Sequence, residues 1–207
     1  MKKALILTIA LVFTFFLGAG PATAGDGKAL FKKKFCINCH GADGHSKTSQ
    51  FPHLAGQNKL YLLNQFNAII HGQRQLGSTT LMAKHPKLKG FSPQDIDDIT
   101  TYLAKLPRTA ADEKSPAALV QKGQALFKNL GCEQCHGAGG KGKAEPKFAS
   151  YPKLNGQHPD YLYWQMKRIL SGKRTNNHAD LMRKKFKEEH LSDPEFKAIS
   201  AYLGSVK

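Results

Sequence analysis

The chain has 207 residues, 41% of them hydrophobic, and a formal net charge of +16. The length allows one or two domains. So basic a protein favours acidic proteins, anionic lipid or nucleic acid as partners and disfavours basic ones. No segment after the N-terminal region is long and apolar enough to span a membrane.

The N-terminus has the three parts of a secretory signal peptide. Lys2 and Lys3 precede an apolar run over residues 4–17, and an A-x-A cleavage signal ends at Ala24. We therefore predict a signal peptide over residues 1–24 and a mature protein in the periplasm. An uncleaved membrane anchor is the alternative, which the shortness of the apolar run disfavours. Because the protein is predicted to be exported and has no nucleic-acid-recognition motif, we expect no nucleic-acid partner.

The sequence C-x-x-C-H occurs twice, which is the attachment signature of a c-type haem. Each thiol forms a thioether with one haem vinyl group, and the histidine gives the iron an axial nitrogen. A redox dithiol or half of a zinc site would not require the histidine. The two motifs use all four cysteines and leave none for disulfides. We therefore predict two covalent haem c groups, attached at the following positions: Cys36, Cys39 and His40, and Cys132, Cys135 and His136.

The second half of the chain repeats the first. The sequence GKALF at residues 27–31 corresponds to GQALF at residues 123–127, an offset of 96. After the haem motifs the offset becomes 100, as in FPHLAGQ at residues 51–57 and YPKLNGQ at residues 151–157. This repeat predicts a domain at residues 25–107, a linker at residues 108–116 and a domain at residues 117–207. The first domain has 11 basic and 5 acidic residues, giving +6, and the second has 16 and 8, giving +8.

The periodicity within each domain is helical, and no convincing strand alternation is present. We predict an all-α fold in which a short helix precedes each haem motif and two further helices follow it. Ser92 and Ser192 are predicted N-caps, each followed within two residues by a proline. The predicted helices cover residues 28–34, 58–70 and 93–106 in the first domain, and residues 117–129, 159–170 and 193–203 in the second.

The repeat also selects the sixth ligand of each iron. None of the histidines outside the two motifs has a histidine counterpart in the other domain, whereas Met82 and Met182 correspond at the offset of 100. We predict these methionines as the axial ligands, placed in irregular segments between helices; the alternative is that they fill gaps in the core. Neutral thioether sulfur favours Fe(II) and raises the reduction potential. Two coordinatively saturated irons indicate an electron carrier rather than an enzyme.

Several other matched residues are candidates for haem contacts. Arg74 and Arg174 correspond, and their guanidinium groups suit the two propionates of each haem. The alternative for both is a solvated charge at a helix end. Matched tyrosines are interpreted as haem-wall packing. The basic run at residues 183–187 follows Met182, and its position favours a docking rim, although such runs are usually solvated surface.

The motifs with their paired methionines make the chain resemble the dihaem cytochrome c4 family over its whole mature length. The resemblance implies two class I cytochrome c-like domains with pseudo-twofold symmetry, and haems that lie near each other. It also implies one-electron transfer to a terminal oxidase or a similar acceptor. The haem subunit of flavocytochrome c sulfide dehydrogenase is similar to the same family, so a subunit that accepts electrons from a dehydrogenase is the main alternative. A dihaem peroxidase is a further alternative, which two methionine ligands disfavour. Acidic redox proteins are the expected partners, and an anionic membrane surface is a second expected contact.

Overall fold

Two domains of matching helices make up the part of the chain that the computed structural model describes, residues 26–74 and 76–207. The predicted signal peptide, residues 1–24, lies outside this part. Within the described residues there are α-helices and short 3-10 turns but no strand, so the predicted all-α fold is confirmed. The helices of the first domain are α1 (Gly27–Lys33), α2 (Ile37–His40), α3 (Lys59–Ile70), α4 (Ser78–Lys84) and α5 (Pro93–Lys105). Those of the second are α6 (Ala117–Asn129), α7 (Glu133–His136), α8 (Pro159–Leu170), α9 (Ala179–Glu188) and α10 (Asp193–Ser205).

The last helix of each domain begins as its sequence predicts. At α5, the Ser92 hydroxyl accepts a hydrogen bond from the Asp95 N–H at 3.0 Å, and the Asp95 carboxylate accepts one from the Ser92 N–H at 2.9 Å. At α10, the Glu195 carboxylate accepts from the Ser192 N–H at 2.8 Å. These contacts satisfy backbone donors that the helix leaves free at its N-terminus.

The first and last helices of each domain cross at a glycine. A Cβ atom on Gly27 would lie 2.1 Å from the carbonyl oxygen of Asp98, and one on Gly123 would lie 1.9 Å from that of Ala198. Any larger residue would separate the helices, which explains why the repeated sequence begins with glycine. Phe31 is the last residue of the repeated sequence GKALF, and only 1% of its surface is exposed.

Met82 and Met182 do not lie in irregular segments. The structure places Met82 in α4 and Met182 in α9, so this part of the prediction is wrong. The density of lysine suggested a loop, but in α9 the lysines lie on the solvent side, while Phe186 on the opposite side is buried. A helix can form there because Ala179, Met182 and Phe186 share one face, although Leu181 lies outside it and is exposed.

Reciprocal hydrogen bonds join the two domains. The side-chain amide of Gln57 donates to the Lys153 carbonyl at 2.8 Å and accepts from the Lys153 N–H at 2.7 Å. Gln157 makes the same pair with His53, at 2.9 and 2.8 Å. Because each contact repeats with the domains exchanged, the interface has the pseudo-twofold symmetry expected for two packed copies of one unit.

The segment between the domains is tied to both of them. The Arg108 guanidinium donates to the carbonyls of Ala55 at 3.2 Å and Lys153 at 3.3 Å, and its Nε donates to the Asn155 carbonyl. Burial lowers the pKa of Arg108 to about 10. Further along, Glu113 contacts Nδ1 of His158 at 2.6 Å, and Nε2 of His158 lies 3.1 Å from the Ser46 carbonyl. These contacts hold the connecting segment against the domain interface.

Candidate haem sites

The predicted residues of the first haem motif converge on one cavity. Cys36, Cys39, His40 and Met82 all line a cavity of about 330 Å³ in the first domain. Cys36 immediately precedes α2, and Cys39 and His40 lie within that single turn of helix. This one turn therefore presents both sulfurs and the ring to the cavity, and α4 brings the methionine to it.

The second domain repeats this arrangement. Cys132, Cys135, His136 and Met182 line a cavity of about 260 Å³, with α7 in place of α2 and α9 in place of α4. Each cavity thus contains two thiols for thioether bonds, an imidazole nitrogen and a thioether sulfur, which is the donor set of a c-type haem with His/Met ligation.

Hydrogen bonds fix the tautomer of both motif histidines. Nδ1 of His40 lies 3.1 Å from the Pro52 carbonyl, and Nδ1 of His136 lies 3.0 Å from the Pro152 carbonyl. Because a carbonyl only accepts hydrogen bonds, we assign the proton of each ring to Nδ1, which leaves Nε2 free as an iron ligand. Burial also lowers the pKa of both histidines. The neutral imidazole is the form that binds a metal.

The first cysteine of each motif is a poorly ionised thiol. Burial raises the pKa of Cys36 and of Cys132 to about 11. Such a thiol is much less prone to oxidation than an exposed thiolate.

Arg74 and Arg174 are buried at the domain interface, so their interpretation as solvated helix-end charges is wrong. They are 6% and 9% exposed. Arg74 donates to Gln65 of its own domain at 2.7 Å and to Tyr161 of the other domain at 3.0 Å. Arg174 correspondingly donates to Gln165 at 2.9 Å and to Tyr61 at 3.0 Å.

Neither of these arginines has an anionic partner among the residues that the structure describes; all their hydrogen-bond partners are neutral. A buried cation without a counter-charge is costly. Arg74 lines the first cavity and Arg174 the second. The structure therefore fits a group that brings carboxylates into both cavities, as a haem with two propionates does.

The matched tyrosines do more than pack against a haem. The hydroxyl of Tyr61 accepts a hydrogen bond from Arg174, and that of Tyr161 accepts one from Arg74. Burial alone would raise the pKa of Tyr61, but Arg174 and Arg74 hold it below its usual range. Tyr61 and Pro152 line both cavities, so the two haem sites share part of one wall.

Sequence reasoning missed the interface glutamines. Gln57 and Gln157, like Gln65 and Gln165, correspond at the offset of 100. The same polar residue at equivalent positions of both domains is a signal that could have identified these glutamines as interface residues. Histidines at unmatched positions also line the cavities, His53 and His85 the first and His178 the second.

Comparison with known proteins agrees with the geometry. The cytochrome c family model matches residues 24–107 and again residues 120–207. The chain is 34% identical to cytochrome c4 of Azotobacter vinelandii, over 98% of each protein. It is 30% identical to the thiosulfate dehydrogenase electron acceptor of Stutzerimonas stutzeri, over 89% of this chain and 88% of that protein. Among solved structures, reduced cytochrome c4 from Pseudomonas stutzeri superimposes with a TM-score of 0.72 at 32% identity, covering 88% of this chain and all of that one.

The chain therefore belongs to the cytochrome c family, and within it to the dihaem cytochromes c4. It is an electron-transfer protein with two covalently bound haem c groups. No helix in residues 26–74 and 76–207 has the length and apolar character needed to cross a membrane.

Proposed function

We propose that this cytochrome is a periplasmic one-electron shuttle that delivers electrons to an acidic acceptor, such as the docking domain of a terminal oxidase in a respiratory chain. The observation that carries the proposal is the presence of a complete donor set, two cysteines, a histidine and a methionine, around each cavity. When bound, each haem supplies reversible Fe(III)/Fe(II) chemistry.

We assign the axial ligands as follows: His40 and Met82 to the first iron, and His136 and Met182 to the second. Thioether ligation gives both irons high potentials and leaves neither open to a substrate. The domains assigned to these sites are residues 25–107 and 117–207, joined by residues 108–116. Native mass spectrometry tests the assignment of the cofactors and the cleavage after Ala24 together, because two haems and loss of residues 1–24 each change the mass by a fixed amount.

We assign Arg74 and Arg174 to the haem propionates. Support comes from their burial, from the absence of a carboxylate partner within the described part of the chain, and from their position on the walls of the two cavities. Because each guanidinium also bonds across the interface, a propionate held there lies next to the other domain. Tyr61 and the two arginines would therefore keep the haems close together, as fast transfer between them requires.

A second function has a specific observation in its favour. One of the similar proteins is named a thiosulfate dehydrogenase electron acceptor. In that case the chain would accept electrons from a dehydrogenase that oxidises a sulfur compound, a flavoprotein in the case of sulfide oxidation. Purification from the native cell separates the two functions. Stoichiometric co-purification with a dehydrogenase chain favours the second, and a soluble form that reduces an isolated oxidase favours the first. Turnover with peroxide by a high-spin haem would contradict both and favour a dihaem peroxidase.

A further inference from the structure

The surface of the first domain next to Met82 is basic and free of acidic residues. Residues 78–89 contain Lys84, Lys87 and Lys89 and no aspartate or glutamate. All three lysines are exposed. Among the residues that the structure describes, none of the three forms an ion pair. Their charges are therefore available to a partner.

The matching surface of the second domain is largely neutralised. Residues 178–189 contain four basic and three acidic residues. Arg183 pairs with Asp180 at 2.9 Å, and Lys185 pairs with Glu189 at 2.5 Å. A further pair joins Lys184 to Glu188 at 3.8 Å. The segment that contains the basic run suggested as a docking rim thus carries a net charge of only +1, against +3 for the matching segment of the first domain.

The two cavity mouths also differ in one aromatic residue. Phe35, which lines the first cavity, has a φ of +62° and is 45% exposed. Its counterpart at the offset of 96 is Gly131, with a φ of +69°. Glycine adopts this left-handed conformation readily, whereas phenylalanine is strained in it.

Phe35 shares the wall of the first cavity with a second large apolar residue, and a lysine lies near its ring. Leu81, which is 61% exposed, lines the same cavity. The Lys87 ammonium lies 5.6 Å from the centre of the Phe35 ring, within range of a cation–π contact. An apolar centre with a charged rim is the usual anatomy of a protein docking surface. Strained residues concentrate at functional sites, where the surrounding structure maintains them.

We propose that an acidic redox protein docks at the mouth of the first haem cavity, on Phe35 and Leu81 of the cavity wall and on the exposed lysines of the adjoining segment, Lys84, Lys87 and Lys89. The inference rests on the proposed function and specifies which domain exchanges electrons with such a partner. Lysines without local counter-charges attract the acidic surface, and Phe35 and Leu81 then exclude water at the point where the haem edge is reached. The second mouth, where three of the four basic residues are paired, exchanges electrons with the other haem or with a less acidic partner.

Stopped-flow reduction of the holoprotein by a plant-type [2Fe–2S] ferredoxin tests the proposal. This acidic protein is a strong reductant, so electron transfer from it to a high-potential cytochrome is downhill. The chain offers a matched pair of variants, K84Q/K87Q at the first mouth and K184Q/K187Q at the second, which remove equal charge. We expect K84Q/K87Q to slow reduction about fivefold at low salt and to weaken its salt dependence, and K184Q/K187Q to change it by less than about twofold.

The variant Phe35→Gly tests the apolar part of the surface separately from folding. We expect reduction to slow about fivefold, as for loss of an interface anchor. The melting temperature should stay the same or rise, because glycine relieves the left-handed strain. A purely structural Phe35 would give the opposite pattern, with a lower melting temperature and an unchanged rate.

Three outcomes overturn the docking proposal. The first is an equal or greater slowing in K184Q/K187Q, and the second is an unchanged rate in both first-mouth variants. The third is a Phe35→Gly variant that no longer co-sediments with phosphatidylglycerol vesicles but is reduced by ferredoxin at the wild-type rate. That result would mean that the surface binds lipid and not a redox protein. Failure of the wild-type holoprotein to accept electrons from ferredoxin would instead contradict the carrier function itself.

Discussion

The two domains present the same donor set to their haems but surround it with different amounts of protein. Among the described residues, the second domain buries twelve hydrophobic residues and the first buries nine. Ten of the twelve pack into one continuous cluster, whereas only four of the nine do so. In the second domain α9 buries Phe186, whose ring lies 5.1 Å from that of Phe196; α4, which carries Met82, buries no residue. The first haem must therefore supply more of the apolar interior of its own domain, and its methionine is held by a less firmly anchored helix. Duplication preserved the ligands, whose chemistry is strict, and left the support around them free to diverge.

Exchange of the methionine ligands should give the largest effect. We expect Met82→His to lower the potential of the first haem by on the order of 0.2 V, because imidazole favours Fe(III) relative to thioether. The second haem should be almost unchanged. Met182→His is the matched control and should affect only the second haem. A potentiometric titration followed in the visible spectrum measures the potentials of the two haems separately. If Met82→His leaves both potentials unchanged, Met82 is not a ligand of the first iron.

Shortening the buried side chain of Phe186 in α9 tests whether the second domain depends on its larger hydrophobic core. Phe186→Ala should lower the free energy of unfolding by about 3 kcal/mol through loss of a buried ring. It should also make Met182 easier to displace from the iron by added imidazole. The matched position is Pro86, which is exposed, so Pro86→Ala should leave stability nearly unchanged. Thermal and urea unfolding of both variants provide the measurement; equal effects would refute the difference in anchoring.

The interface glutamines test the symmetry of the domain contact. Gln57→Ala should cost about 2 kcal/mol, because it leaves the half-buried N–H of Lys153 without a partner and leaves the Lys153 carbonyl with only the longer contact from Arg108. Gln157→Ala should cost a similar amount through the corresponding groups of His53. Urea unfolding monitored in each domain would detect both losses. A large cost for one variant and none for the other would show that the two halves of the interface are not equivalent.

The pH dependence of stability should show a smaller effect, which comes from His53 and has no equivalent at its counterpart, Lys153. Burial, together with the charges of His158 and His45, lowers the pKa of His53 from 6.5 to about 3. The unfolded chain therefore takes up a proton at His53 as the pH falls below 6.5, whereas the folded protein does so only near pH 3. Stability from this group is present above pH 6.5 and is lost between pH 6.5 and 3.

The corresponding measurement is urea unfolding at two pH values. Relative to His53→Asn, the wild type should lose about 1.5 kcal/mol between pH 6.5 and pH 5.0. Identical pH dependence in the two proteins would mean that His53 is not held neutral.

Much of the haem site could be predicted from the sequence because its residues follow strict local spacing. The C-x-x-C-H motif fits one helical turn, and the constant offset paired the two methionines that we propose as axial ligands. The contacts of Arg74 could not be predicted, because its partner Tyr161 is 87 positions away and no local periodicity links them. The helix α9 was missed because its stabilising pairs, such as Lys185 with Glu189, look like an ordinary charge run when read one residue at a time.

Magnetic and near-infrared spectra of the oxidised holoprotein test the central claim most directly. Two irons that each have one histidine and one methionine should both be low-spin. They should also give the weak near-infrared sulfur-to-iron absorption at an intensity that corresponds to two haems per chain. A high-spin signal, a single bound haem, or half of that intensity would contradict the account.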